Sequence, residues 1–328
     1  MLTHELAGRI LRRIGIDDDY SLIELKQHNH VYRIETDMET FFLKTYTKDW
    51  YGHNVAGTSY CVDHEVAAWK VLASNGLATP DVVLAEFSCD NEFNRPFLLT
   101  RMLPGKPLTI YLRDAGQDDF RQLLTNIGQY MAAMHRICFP YPGYITSIGL
   151  NAPPDPNGWQ HLIWTIEQFN RDARQVWNDD RQSISVRLVE EAEAYFRIYG
   201  VALADEYAIP RFTHGDCHAS QFFLDFDGSK WQVTGVVDME VSSGGDCGND
   251  LLKFGLEMSA LFPAATKWWE PFFEGYGREP NFELMRLRML AIPHFGYSYA
   301  WPGTREQILS HVLKSHGWQS LYDLKSLG

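Results

Sequence analysis

Three short, mostly apolar early runs, Leu22 to Leu25, Val31 to Glu35 and Phe41 to Tyr46, each interrupted by one or two polar residues, predict β-strands. The sharp connection at Met38-Glu39 joins the last two as a hairpin. Ahead of them Leu6, Ile10, Leu11 and Ile14 recur at helical spacing. After them Val62, Val66, Trp69 and Leu72 mark a helix that Asn75-Gly76 should terminate. Two further β-type runs, Asp81 to Glu86 and Pro96 to Met102, stop at Pro104-Gly105. Beyond that turn the pattern becomes helical, first at Leu124, Ile127, Met131 and Met134. Helices are then expected over roughly 159–177, over 183–199, and from Asn249 to the end, with short strands flanking a segment near residue 214. The reading is an α+β fold: a small antiparallel β N-lobe with one embedded helix over residues 1–103, then a mainly helical C-lobe over 104–328.

Composition narrows the partners. The 328 residues include 19 Phe, 16 Tyr and 10 Trp, far too apolar for disorder. A net charge of −13 argues against a nucleic-acid partner, which would demand excess Lys and Arg, and suits a cationic acceptor as well as plain solubility. Five scattered cysteines form no even framework, no basic-then-apolar leader is evident, and no run approaches a membrane span. These point to a cytoplasmic protein with no membrane partner.

The chemistry concentrates in Thr213-His214-Gly215-Asp216-Cys217-His218-Ala219-Ser220-Gln221, in Val236-Val237-Asp238, and in Gly245-Asp246-Cys247-Gly248-Asn249-Asp250-Leu251. An acid on a tight turn can orient a hydroxyl and take its proton. An amide oxygen and a second carboxylate can share a divalent cation. Together they suit metal-assisted phosphoryl transfer. Asp216 is the only carboxylate on the His214-to-Gln221 turn and is therefore the expected catalytic base, while Gln221 and Asp238 are the expected Mg²⁺ ligands.

These segments resemble the aminoglycoside phosphotransferase-like (choline-kinase-like) small-molecule kinases, relatives of the protein kinases. His214-Gly215-Asp216, Asp238, and Gly245-Asp246 with Asp250-Leu251 match that family's pattern; Gln221 departs from its usual Asn, as it does in the maltokinase and glucosamine-kinase branches. The resemblance implies a bilobal protein-kinase-like fold using ATP (or GTP) and Mg²⁺ to phosphorylate a hydroxyl of a small molecule such as an aminoglycoside or amino sugar. It places Lys44 on the nucleotide phosphates, paired with Glu65. It makes 99–103 the hinge, with Thr100 and Met102 contributing to the nucleotide site. His214 and Asp246 become structural supports of the catalytic loop. Lys26 to His30 stands where a glycine-rich loop is usual, yet holds no glycine.

Gly215 replaces the arginine that receives activation-loop phosphate in protein kinases, and Met239 to Gly245 is too short for peptide docking, so a small acceptor is favoured over a protein Ser/Thr kinase. Glu240 reads as a solvated turn residue or, if the strand continues and sets it on one face with Asp238, as a further metal or substrate ligand. Trp159, Trp164, His294, Tyr297, Tyr299 and Trp301 are aromatic material for an acceptor pocket or simply core. Two rivals stand beside the kinase: a zinc site or hydrolase built on His214, Cys217, His218 and Cys247, and a non-catalytic nucleotide-binding pseudokinase.

Overall fold

The computed structural model describes residues 2–26, 30–46, 62–91, 93–147, 149–151, 185–206, 209–290 and 304–324. In chain order these form α1 (His4–Arg13), β1 (Tyr20–Lys26), β2 (Val31–Thr36), β3 (Thr40–Thr45), α2 (Val62–Ser74), β4 (Val82–Glu86), β5 (Phe97–Arg101), β6 (Lys106–Pro107), α3 (Leu108–Asp114) and α4 (Gln117–His135). There follow β7 (Gly143–Thr146), β8 (Gly149–Asn151), α5 (Val186–Glu206), β9 (Arg211–Thr213), β10 (Phe222–Phe226), β11 (Trp231–Val236), β12 (Ser243–Gly245) and α6 (Cys247–Leu261). Last come α7 (Trp269–Tyr276), α8 (Phe282–Leu290), α9 (Arg305–Lys314) and α10 (Trp318–Leu321). The expected helix over 159–177 lies outside the described residues, and that over 183–199 runs instead from Val186 to Glu206.

Two compact units divide the chain. One consists of Met1–Pro107, Tyr144–Pro153 and Gln221–Ser243; the other takes Leu108–Gly143, Pro154–Ser220 and Gly244–Gly328.

In the first unit β1 to β5 make an antiparallel sheet ordered β1-β2-β3-β5-β4. Period-two alternation sorts its side chains. Tyr32, Ile34, Phe41, Leu43, Phe97 and Leu99 bury one face against Ala7, Ile10 and Leu11 of α1. Each such apolar side chain taken from water contributes about 1.5–3 kcal/mol. Phe42, Lys44, Leu98 and Thr100 are left on the opposite face. Helix α2 is tied to the hairpin β10–β11 by Trp69, whose Nε1–H donates to the Val236 carbonyl at 2.9 Å. On the same helix His64 is fully buried, edge-on to Tyr144 with ring centroids 5.1 Å apart, and neither ring nitrogen has a hydrogen-bond partner among the described residues.

Burial therefore lowers the His64 pKa to about 4. The unfolded chain takes up this proton near pH 6.5 and the folded one does not. The stability involved is fully present above pH 6.5 and is lost as the pH falls toward 4. Its size is about 3 kcal/mol at pH 4. Denaturant unfolding of wild type and His64→Leu at pH 7 and pH 4 should reveal an acid-induced loss larger in wild type by that amount. Equal losses would remove His64 as the acid-sensitive group.

In the second unit α4 and α7 cross at close range. A Cβ on Gly128 would meet the Phe272 carbonyl oxygen at 2.2 Å, and one on Gly275 the Thr125 carbonyl oxygen at 2.0 Å. Only glycine permits such an approach. The crossing carries Leu124, Ile127, Met131 and Met134 of α4 into the core beside Phe272 and Tyr276, and so fixes His135 at the end of α4. Among the described residues no helix is long and apolar enough to cross a membrane. Cys89, Cys138, Cys217 and Cys247 are all free.

Candidate active site

In the first unit, strand alternation turns Lys44 away from the α1-covered core and toward α2, β5 and the segment after β11. Its Nζ lies 2.9 Å from Glu65 Oε2, 2.7 Å from Asp238 Oδ1 and 3.1 Å from Glu240 Oε1. Glu65 is buried and also accepts a hydrogen bond from the Tyr46 hydroxyl. Gln221, at the start of the hairpin, donates from Nε2 to Asp238 Oδ2 at 3.2 Å. Lys44, Glu65, Gln221 and Asp238 are thus assembled in one place, from four separate elements of the chain.

Asp238 adopts φ +66°, a left-handed conformation that costs a non-glycine residue about 1–3 kcal/mol and is retained only where the surroundings demand it. Strand β11 ends at Val236, so the pleat does not continue to Glu240. Instead the turn itself returns Glu240 to Lys44, and Glu240 is only 8% exposed. The expectation of a solvated turn residue is overturned. Burial raises the Glu240 pKa to about 8; Lys44 opposes the rise, while Asp238 and Glu65 add to it by repulsion. Burial likewise disfavours the Lys44 charge, but Asp238, Glu240 and Glu65 outweigh it and hold the ammonium well above its ordinary pKa.

Above these groups opens a cavity of about 460 Å³, walled by Phe42, Trp69, Leu98, Thr100 and Leu103 and floored by Lys44, Glu65 and Asp238. Thr100 is one of its walls. Met102 is half exposed, is not among the lining residues, and commits its N–H to the Thr40 carbonyl at 2.8 Å. The center of the glycine-free loop, Gln27 to Asn29, lies outside the described residues, as do Trp159, Trp164, His294, Tyr297, Tyr299 and Trp301.

In the second unit β9 leads into the His214 loop, where Gly215 takes φ +81°, a conformation that glycine adopts without steric cost. Asp250, 1% exposed on the first turn of α6, clamps the loop: Oδ2 accepts the His214 N–H at 2.7 Å and Oδ1 the Gly215 N–H at 2.9 Å. Asp250 is braced in turn by His135 Nε2 at 3.2 Å, and His135 Nδ1 meets the Tyr276 hydroxyl at 2.8 Å. His214 Nδ1 accepts the Asp216 N–H at 3.2 Å, which folds the turn so that Asp216 stays 39% exposed at its side chain. Asp246 has a different task. It caps α6 by accepting the Gly248 N–H at 2.9 Å and forms a two-pronged pair with Arg288 at 2.8 and 2.9 Å.

Three further α6 side chains complete this arrangement, and sequence reading did not assign them. Asp250, Lys253 and Glu257 fall at i, i+3 and i+7, one helix face. Lys253 Nζ pairs with Asp216 Oδ1 and lies 3.4 Å from the Gly215 carbonyl, and Glu257 accepts the Ala219 N–H. That period, counted forward from Asp250, was the available signal.

Among the described residues the one group of His, Cys, Asp and Glu side chains whose ligand atoms converge is Glu65, Asp238 and Glu240. The zinc set is not assembled, and burial keeps the Cys217 thiol well above its ordinary pKa. Three carboxylates facing one lysine leave hard oxygen donors in excess of positive charge, the donor type that Mg²⁺ takes, and Gln221 adds an amide beside them. The residues present fit a magnesium nucleotide.

The chain matches the model of the phosphotransferase enzyme family over residues 19–290. No curated protein matches it by sequence. Solved structures similar to it include a streptomycin–ATP ternary complex of the aminoglycoside phosphotransferase APH(2")-IIa (13% identity, 100% of this chain and 96% of the other, TM-score 0.54). A macrolide 2'-phosphotransferase from Brachybacterium faecium is similar at 17% identity, over 98% of each chain, with TM-score 0.52. A microcompartment-associated aminopropanol kinase is similar at 16% identity, over 98% and 95%, with TM-score 0.54. Identities this low speak to the fold, which is the α+β, kinase-like fold expected from the sequence.

Proposed function

We propose, from the premise that this chain belongs to the phosphotransferase enzyme family, that it transfers the γ-phosphoryl group of ATP or GTP to a hydroxyl of a small polar molecule, sugar-like or aminated. The observation that carries this reading is Lys44 held within 3.1 Å of Glu65, Asp238 and Glu240 beneath an apolar-walled cavity of nucleotide size. Residues 1–103 supply most of the nucleotide site and residues 104–328 the catalytic loop and the acceptor site, with the hinge at 99–103.

In this reading the cavity takes the base, with Thr100 against it. Met102, whose N–H is already used, offers its carbonyl. Lys44 contacts the phosphates while Glu65 fixes its position. Gln221 Oε1 and Asp238 hold Mg²⁺, which when bound neutralises charge on the phosphates. Asp216 orients the acceptor hydroxyl and takes its proton as the new O–P bond forms and the bond to the nucleoside diphosphate breaks. His214 and Asp246 act through structure, the first by folding the turn under Asp216 and the second by capping α6 and anchoring it to Arg288.

The net charge of −13 favours a cationic acceptor, and the similar enzymes include ones named for aminoglycosides and for an aminopropanol. The test is nucleotide turnover with Mg²⁺ across aminoglycosides, amino sugars, neutral sugars and amino alcohols, with Asp216→Asn as the blank. At least one class should raise diphosphate release well above the water background. Turnover with a serine peptide and with none of the small alcohols would replace this reading by a protein kinase. Nucleotide binding without turnover on any acceptor would replace it by a pseudokinase.

A further inference from the structure

The Asp216 carboxylate is held from one side. Lys253 reaches across from α6 to Oδ1, and the same ammonium lies 3.4 Å from the Gly215 carbonyl, so it is fixed to both the backbone and the side chain of the loop. Its side chain is 19% exposed. Oδ2 points the other way, 3.8 Å from His218 Nε2, and His218 Nδ1 is engaged by the Ser220 hydroxyl at 2.7 Å. Among the described residues the charged and titratable groups that bear on Asp216 are His214 and His218 on its own loop, with the buried thiol of Cys217 between them, and Lys253 and Glu257 on α6. Lys253 is the one permanent cation in that set.

We propose that Lys253 is a positioning residue for phosphoryl transfer, one that keeps Asp216 ionised and turns it so that Oδ2 receives the acceptor hydroxyl's proton. This rests on the reading of Asp216 as the base. A base with two equivalent oxygens and a free χ angle would sample orientations that do not face the hydroxyl. Tying Oδ1 to an ammonium leaves one oxygen for the reaction, and the division costs no reorganisation when substrate arrives. The α6 face performs three tasks at once: Asp250 fixes the loop backbone, Lys253 the reacting carboxylate, and Glu257 the loop's far end at Ala219.

The electrostatics agree with the geometry. Burial pushes the Asp216 carboxyl upward, but Lys253, by charge and by hydrogen bond, together with His218 and His214 outweighs it, and the acid ends below its ordinary value. Without the lysine, burial would be opposed by no permanent charge, and the carboxylate would pick up its proton at a higher pH.

The deciding experiment follows the Asp216 carboxyl by ¹³C NMR in aspartate-labelled protein from pH 8 to pH 4, assigned with Asp216→Asn. Wild type, Lys253→Met and Lys253→Arg are compared. Turnover of Mg-ATP is measured over the same range with the acceptor found in the screen, or with water where none is found. In Lys253→Met the Asp216 titration should move up by about one pH unit or more, as expected for loss of an adjacent opposite charge. The acid limb of kcat should move with it, and kcat on the alkaline plateau should fall about 10-fold from misorientation. Lys253→Arg should restore the titration and the acid limb while recovering only part of kcat, because a planar fork replaces a point donor. An unmoved Asp216 titration in Lys253→Met overturns the proposal. So does a moved titration with an unmoved acid limb. Full turnover in Asp216→Asn would place the failure in the assignment of the base rather than in the lysine.

Discussion

Asp216→Asn is expected to lower kcat by about 10²-fold or more, the usual size of a general-base contribution, while leaving nucleotide affinity close to wild type. The substitution preserves shape and the acceptor oxygen toward Lys253, and it removes the charge proposed to take the proton. The loop should survive it, because its amides are held by Asp250 and by Glu257 rather than by Asp216. Affinity should survive because Lys44, Glu65, Gln221 and Asp238 are untouched. Steady-state rates with a nucleotide titration decide the matter. A near-wild-type kcat, or an equal loss of nucleotide binding, would remove Asp216 from the catalytic role. The transition state of phosphoryl transfer is loose and demands little early proton removal, so part of the loss should trace to orientation of the hydroxyl.

Asp238→Ala should be more damaging still, with kcat reduced by at least about 10³-fold, the scale for charge-stabilising groups on a transferring phosphoryl. Asp238 holds Lys44 by one oxygen at 2.7 Å and accepts from Gln221 by the other at 3.2 Å, so its removal affects the proposed phosphate-binding lysine and both proposed metal ligands together. The fold should persist, since Lys44 retains Glu65 and Glu240. Calorimetric titration should find the Mg²⁺-dependent part of nucleotide binding lost, with the melting temperature little changed. Mg²⁺-dependent binding equal to wild type would sink the metal assignment.

What was readable in the sequence follows from how each feature is encoded. The His214 loop was readable because its geometry depends on consecutive residues, including a glycine at positive φ. Lys44 was readable because one cation in an apolar strand must face something other than the core, and strand alternation does face it away from α1. Glu240 was misread because its burial depends on a turn, and no pattern announces that Asp238 will adopt a left-handed conformation. The role of Asp250 as loop clamp and of Lys253 as partner of Asp216 depends on α6 docking beside the loop, 35 residues or more along the chain. Propensity and period describe a helix face, and only packing says what that face meets.

The unit that carries Lys44 is assembled from three stretches of chain, and 194 residues separate Lys44 from Asp238. No fragment ending near residue 103 would contain Gln221, Asp238 or Glu240, so the cavity over Lys44 cannot be isolated by truncation. On the ribosome, at about 5–20 residues per second, Asp238 emerges roughly 10–40 s after Lys44. Through that interval Glu65 is the one member of the acidic trio already synthesised. Its early presence in α2 would give the strand lysine a carboxylate to pair with while the other two are still being made.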